Sequence, residues 1–197
     1  MLAGIAGCIG ALGNSATGGG ATWTTTFSQA ISSASGGWNG SNLQQVLNSS
    51  LLSTSGTQVR VTLKSAPALN NGWSIDSCFI GHQAASGDPY DFDGGQVRLT
   101  VVGSNSFSLA SGSLTLITDA VSFAPDHTKN LIIAAHFNDA STLPFASLSG
   151  ATNYCKDASS DETSVSNVSG MGSNGAALAL VNDGEYSSTL FPVTAEL

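Results

Sequence analysis

The sequence has few charged residues. Asp, Glu, Lys and Arg make up only 9% of its 197 residues, against about 25% in an average soluble domain. Five basic residues stand against 13 acidic ones, which gives a formal charge of -8. This charge repels a phosphate backbone and leaves no basic patch, so we expect no nucleic-acid partner.

Long apolar runs and helix-favouring composition are also lacking. The chain has no stretch of about 18 apolar residues that could span a bilayer, and no basic residue precedes the apolar start at residues 1–12, as one would in a secretory signal. We therefore expect no signal peptide and no membrane partner. Glycine, by contrast, occurs 23 times, and Gly and Ser are unfavourable inside helices. This composition favours strands and loops.

Cysteine is scarce as well. Cys8, Cys78 and Cys155 are too far apart for a zinc motif, and their odd number leaves at least one unpaired within the chain. Buried free thiols are the simplest interpretation, because unpaired Cys behaves as a small hydrophobic residue. Cys8 is the exception, since its Gly-rich surroundings would let it contact or bond a neighbouring subunit.

The first 37 residues are rich in Gly, Ser and Ala, with Gly18–Gly20 and residues 32–37 as the clearest runs. Such a backbone is too permissive to fold alone. We therefore expect an extended N-terminal assembly arm at residues 1–37, followed by a β-sandwich domain at residues 38–197. Trp23 and Phe27 are aromatic anchors within this arm that dock either on a partner or back onto the domain.

The centre of the chain alternates apolar and polar residues with a period of two, which predicts strands with one buried face. Turn signals containing Gly, Asn, Asp or Pro separate these segments, as in an antiparallel sandwich. Residues 41–47 fit either a short helix or a strand. The part after residue 138 reads as loops with one or two closing strands. The predicted strands are residues 59–64, 97–101, 107–109, 114–116, 121–123 and 131–137.

Residues 56–137 carry a resemblance to known proteins. Its fixed points are the strand Arg60–Leu63, the segment from Ile80 to Gly94, the Val-Arg-Leu-Thr strand at residues 97–100, and residues 119–123 and 130–133. This order resembles small β-sandwich structural proteins of tailed bacteriophages and, more remotely, the jelly-roll segment that precedes the catalytic domain of some secreted GDSL-type esterases.

The resemblance implies an all-β, antiparallel, jelly-roll-like β-sandwich. It also implies a phage virion component, such as a capsid decoration, collar or fibre protein, assembled in the host cytoplasm. Its partners would be other virion proteins and further copies of itself. The esterase motif is absent, because neither a Gly-Asp-Ser-Leu block nor a G-x-S-x-G elbow occurs. We expect no catalytic residues, no cofactor and no enzymatic activity.

The three histidines are not at metal-ligand spacing. His136 lies opposite the apolar positions of its strand, which predicts a partly covered surface residue, and His127 is expected to be exposed in a turn. The acidic loop holds Asp88, Asp91 and Asp93, which are weak calcium candidates. The favoured interpretation is a structural turn with Asp91 or Asp93 accepting backbone N–H bonds.

Aromatic residues in loops suggest an alternative function. Trp38, Trp73 and Tyr90 could form a platform on which sugar rings stack, as in carbohydrate-recognition modules that bind host surface glycans. The exposure of these rings decides between the two functions. A third hypothesis, hydrolysis by a scattered Ser-His-Asp set, lacks a sequence motif.

Overall fold

The computed structural model describes residues 23–30, 33–36, 38–64, 72–110, 115–140, 142–157, 160–173, 177–178 and 181–187. Within them every regular element is a strand except one 3-10 turn at Ser49–Leu51. The prediction of an all-β chain is therefore confirmed. No helix in these ranges has the length and apolar character needed to cross a membrane. The strands are β1 Trp23–Ser28, β2 Ser33–Gly36, β3 Ser41–Leu47, β4 Gln58–Lys64, β5 Trp73–His82, β6 Val97–Arg98, β7 Phe107–Leu109, β8 Thr115–Ile117, β9 Leu131–Asp139, β10 Thr142–Ser147, β11 Ala151–Asp157, β12 Gly172–Ser173, β13 Ala177–Leu178 and β14 Val181–Ser187.

The strand order is that of a jelly roll. One sheet has the order β1-β14-β4-β8, and the larger sheet has the order β12-β11-β3-β9-β5-β6, with β7 also paired to β5. All pairs are antiparallel. In chain order, β1, β3, β4, β5, β8, β9 and β14 alternate between these two sheets, while β6 and β7 stay beside β5 and β10 to β13 are inserted between β9 and β14. β2, β10 and β13 form a separate three-stranded sheet. Two interleaved Greek keys of this kind define the predicted fold.

The main core lies between these sheets. The four-stranded sheet contributes side chains such as Val59, Val61 and Leu63, and the larger sheet contributes Ile133 and Phe137, all 1% exposed or less. These positions alternate along β4 and β9, because successive side chains of a strand point to opposite faces. The alternation recognised in the sequence is therefore the inner face of the sandwich.

Sheet structure extends into the segment that was predicted as an arm. β1 pairs with β14, and β2 pairs with β10. The side chain of Phe27 joins the main core. Within the described residues, the jelly roll thus begins at Trp23 and not at residue 38. Residues 1–22, which include Cys8, lie outside the described residues.

Four parts of the sandwich differ from the sequence-based expectation. Residues 121–123, predicted as a strand, form only an isolated bridge between Val121 and Val59. Residues 41–47 are a strand, and all seven are buried. β5, ten residues long, was not predicted, because six consecutive residues at its end are buried and no alternation survives there. Among the described residues after 138 there are five strands, β10 to β14, and not one or two.

Candidate functional site

Two loops cover the outer face of the larger sheet. Residues 83–96 follow β5, and residues 160–171 follow β11. Their side chains bury a second hydrophobic cluster against the sheet, made of Val46, Phe79, Tyr90, Phe92, Ile132, Ala134, Val168 and Met171. The loops are also bonded to each other, since the Phe92 N–H donates to the Ser166 carbonyl at 2.9 Å and the Gln96 amide donates to the Ser164 carbonyl at 2.9 Å. This face is therefore closed by the chain itself.

The aromatic residues considered for glycan binding are covered. Trp38 is 6% exposed, Trp73 is 4% exposed and Tyr90 is 6% exposed. Trp38 and Trp73 belong to the main core, whereas Tyr90 packs on the outer cluster against Tyr154. A sugar ring needs an open aromatic face for stacking, so the platform on which the carbohydrate alternative depends does not form.

Asp91 is the structural centre of the acidic loop. The residue is 3% exposed, and its carboxylate accepts the Asp88 N–H at 2.8 Å and the Val168 N–H at 3.3 Å. Its own backbone N–H donates to the Asp88 carbonyl at 3.0 Å. Asp91 thus closes its own turn and joins it to the loop that follows β11, which confirms the structural interpretation of this residue.

The other two carboxylates of the loop have separate partners. Asp88 accepts the Tyr90 hydroxyl at 3.0 Å, and Asp93 accepts the Gly95 N–H at 2.9 Å. Hydrogen bonding to Asp88 and, above all, burial raise the pKa of Tyr90. Among the described residues no group of three or more His, Cys, Asp or Glu side chains has the arrangement of a metal site.

His82 joins the acidic loop to the turn at residues 124–128. Its Nε2 accepts the Asp126 N–H at 2.9 Å, and its ring contacts that of Phe123 with 4.8 Å between centroids. Because Nε2 accepts this bond, the neutral ring carries its proton on Nδ1, which lies 3.8 Å from the Asp93 carboxylate. Burial lowers the pKa of His82 below its ordinary value, although Asp93 opposes this shift.

This geometry predicts a loss of stability in mild acid that depends on His82. As the pH falls from 7 through about 6.5, the unfolded chain takes up a proton at this residue before the folded chain does. The free energy of unfolding should therefore fall with pH until the pH drops below the lowered pKa of the folded state. Urea unfolding between pH 5 and 8 should show this dependence, and it should be flatter in His82→Gln, whose amide oxygen can still accept the Asp126 N–H.

The control for this experiment is His127→Gln. His127 is exposed, as predicted, and contacts the Ser55 hydroxyl at 2.7 Å. This variant should keep the pH dependence of the unaltered protein. An equally steep pH dependence in the His82 variant would contradict the assignment to His82.

A polar cluster that the sequence did not indicate lies beside the outer hydrophobic cluster. A bulge in β5 falls at Asp76, where Ile75 pairs with Phe137 and Ser77 pairs with His136. The extra residue brings the Asp76 carboxylate to 3.3 Å from His136 Nδ1. His136 is on the predicted outer face, but it is 8% exposed and therefore more deeply covered than expected.

Asp161, in the loop that follows β11, completes this polar cluster. It accepts the Ser77 hydroxyl at 2.5 Å and the Thr163 N–H at 2.9 Å. Burial by itself raises the pKa of this carboxyl, but the hydrogen bonds from Ser77 and Thr163 outweigh burial and hold the pKa below its ordinary value. Ser77 is only 1% exposed and donates its proton to a carboxylate. In this geometry it fastens the second loop to the sheet and is not available as a nucleophile.

The residues considered for partner binding have different surroundings. Phe27 is 7% exposed and lies in the core, so its ring is not available to a partner. Trp23 is half-buried, with the Arg60 guanidinium 4.4 Å from its ring centroid. Both described rings thus dock back onto the domain.

Burial raises the pKa of Cys78 to about 12 and also raises the pKa of Cys155, so neither thiol is activated as a nucleophile.

No known protein-family model matches this chain, and no curated protein matches it in sequence.

Proposed function

We propose that the protein is a non-enzymatic structural subunit of a bacteriophage virion, a capsid decoration, collar or fibre component that binds neighbouring subunits through the segment before β1. Its partners are other virion proteins and further copies of itself, and it works without a cofactor. The likeness of residues 56–137 to phage β-sandwich proteins supports the virion assignment, and the jelly-roll strand order agrees with it.

The position of β1 carries this proposal. Within the described residues β1 is the edge strand of the four-stranded sheet, and it follows directly on the Gly-rich segment at residues 1–22. An edge strand has backbone N–H and C=O groups that can pair with another chain. In β1 the Thr26 carbonyl already accepts the Ser53 N–H at 3.1 Å, so pairing would use the other residues of this strand. β1 contains no charged residue and no proline, the side chains that commonly protect such an edge.

The closed outer face of the larger sheet agrees with a structural role. Its covering loops are held by backbone and side-chain hydrogen bonds, and the aromatic side chains lie inside. Binding at the sandwich edges is therefore favoured over ligand binding on this face. Cys8 lies in the segment assigned to subunit contacts, where it would be available for an intermolecular contact.

Mass photometry of the full chain and of a variant lacking residues 2–22 tests the proposal. The full chain should form a defined oligomer such as a trimer or pentamer, and the shortened chain should be monomeric. Circular dichroism should show the same strand content for both, and the same thermal unfolding at protein concentrations low enough for the full chain to be monomeric. A full chain that stays monomeric at all concentrations, or a shortened chain that assembles equally well, would contradict the role of this segment. If the shortened chain fails to fold, loss of assembly on mixing the full chain with a peptide of residues 1–22 provides the same test.

A further inference from the structure

A lysine and an asparagine lie side by side on the outer face of the larger sheet. Asn42 in β3 and Lys156 in β11 are direct partners in the strand register. Direct partners in an antiparallel pair point to the same face, with Cβ atoms about 5 Å apart. Asn42 is 2% exposed, and the Lys156 side chain is 21% exposed. A lysine side chain is long enough for its Nζ to reach the Asn42 amide across this distance.

Glu162, in the loop that follows β11, contacts both members of this pair. Its Oε2 lies 2.5 Å from Lys156 Nζ, and its backbone N–H donates to Asn42 Oδ1 at 3.1 Å. Oε2 is buried and makes no well-aligned hydrogen bond within the described part of the chain, so the lysine is its polar neighbour. The Lys156 ammonium also donates to the Ser169 carbonyl at 2.9 Å. An amine, an amide and a carboxylate are thus gathered under one loop.

The Asn42 amide is held at both of its polar atoms. Oδ1 accepts the Glu162 N–H, and Nδ2 donates to the Ser160 carbonyl at 2.9 Å. A backbone N–H directed at a carbonyl oxygen stabilises the negative charge that develops on this oxygen when a nucleophile adds to the carbon. The amide is therefore fixed in one orientation, with its oxygen polarised toward addition at Cγ.

We propose that Lys156 and Asn42 form an intramolecular isopeptide bond, with Glu162 as the acid–base group. Glu162 Oε2 takes one proton from the Lys156 ammonium, and the neutral Nζ adds to Asn42 Cγ. Glu162 gives this proton to Nδ2 and takes a second one from Nζ, the Cγ–Nδ2 bond breaks, and ammonia leaves. The products are a secondary amide, ammonia and a protonated Glu162, so the step needs no oxidant and no co-reactant. It takes place once in each chain and is not enzymatic turnover.

The bond joins β3 to β11, which are far apart in the sequence. A covalent link of this kind stabilises a fold mainly because it restricts the unfolded chain. The fixed arrangement of the three groups makes the reaction intramolecular, which raises the effective concentration of the amine beside the amide. The inference goes beyond the proposed subunit role, since the bond forms whether or not the chain assembles.

Mass spectrometry of the denatured full chain tests the proposal. The measured mass should be lower than that of the unlinked sequence by one molecule of ammonia. Trypsin cuts after Lys and Arg, which occur only at residues 60, 64, 98, 129 and 156. In the linked chain the cut after Lys156 should be lost, and fragment 1–60 should stay joined to fragment 130–197. The mass of the unlinked sequence, or complete cutting after Lys156, refutes the bond, as does loss of ammonia mapped to a different asparagine.

The variant Glu162→Gln tests the acid–base group, because glutamine has the same length but does not take up the proton. Its chain should stay unlinked, and its Tm should be lower by about 10 °C. The matched control is Asp157→Asn in the same strand, where the carboxylate accepts the Ser41 hydroxyl at 2.9 Å. This control should form the link. A linked Glu162→Gln chain would overturn the role of Glu162, and the mass of the unaltered chain decides on the bond itself without either variant.

Discussion

Substitution of Gly81 by alanine should lower the free energy of unfolding by about 2–3 kcal/mol. A Cβ atom at Gly81 would lie 2.7 Å from the Phe92 ring, 2.9 Å from Gln96 Cβ and 3.0 Å from Gln96 Cα. The ring can rotate, but the Gln96 backbone must move, and the first covering loop with it. Alanine gains about 0.5–1 kcal/mol over glycine inside a strand, which is smaller than the cost of overpacking. Urea unfolding monitored by circular dichroism measures the difference.

Gly172→Ala is the matched control for this substitution. Gly172 also lies in a strand of the larger sheet, but a Cβ there would be 3.8 Å from its nearest neighbour, the Cys155 carbonyl oxygen. The free energy of unfolding of the Gly172→Ala variant should remain within about 0.5 kcal/mol of that of the unaltered protein. Equal stability of the Gly81 and Gly172 variants would show that the loop does not press on the sheet at residue 81.

Substitution of Asp91 by alanine should destabilise the fold by about 3 kcal/mol. The variant leaves the Asp88 and Val168 N–H groups without their acceptor, and hydrogen bonds to charged groups contribute about 1.5–3 kcal/mol each. It also removes the link between the two covering loops. Relative to the unaltered protein, the variant should therefore show a larger increase in amide hydrogen-exchange rate at Asp88 and Val168 than at buried residues of β9, such as Ile133.

The control for Asp91 lies in the same loop. Asp93→Ala removes a carboxylate that accepts only the exposed Gly95 N–H and lies 3.8 Å from His82, so its cost should be below about 1 kcal/mol. Equal losses in the two variants would contradict the assignment of Asp91 as the link between the loops.

The sequence predicted strands such as β4, in which apolar and polar residues alternate, and it also predicted β9, although residues 131–137 are all buried. In β4, Val59, Val61 and Leu63 are buried while Arg60 is half-buried, so the period of two is visible. β5 was not predicted, because the other sheet covers one of its faces and the loops cover the other. Its sequence therefore shows no alternation of apolar and polar residues. In β3 the polar residues Gln44 and Gln45 wrongly indicated exposure to solvent, because both are buried, at 2% and 0% exposure.

The candidate sites were predicted less well than the strands. The exposure of Trp38 and Trp73 depends on how distant strands pack, and a pattern of neighbouring residues carries no such information. The cluster of Asp76, Ser77, His136 and Asp161 combines three segments separated by up to 85 positions, through a bulge that no local motif marks. By contrast, the turn chemistry of Asp91 was readable, because its principal partner, Asp88, is three residues away.

The scarcity of charge in this sequence and its two-residue period determined an all-β chain by themselves, because both are local properties of composition and backbone geometry. The turn signals determined where most central strands end. Tertiary structure alone decided that the aromatic rings face inward and that the chain closes the outer face of its own larger sheet. These features arise from contacts between residues far apart in the chain, and their energies depend on packing that forms only when both sheets are in place.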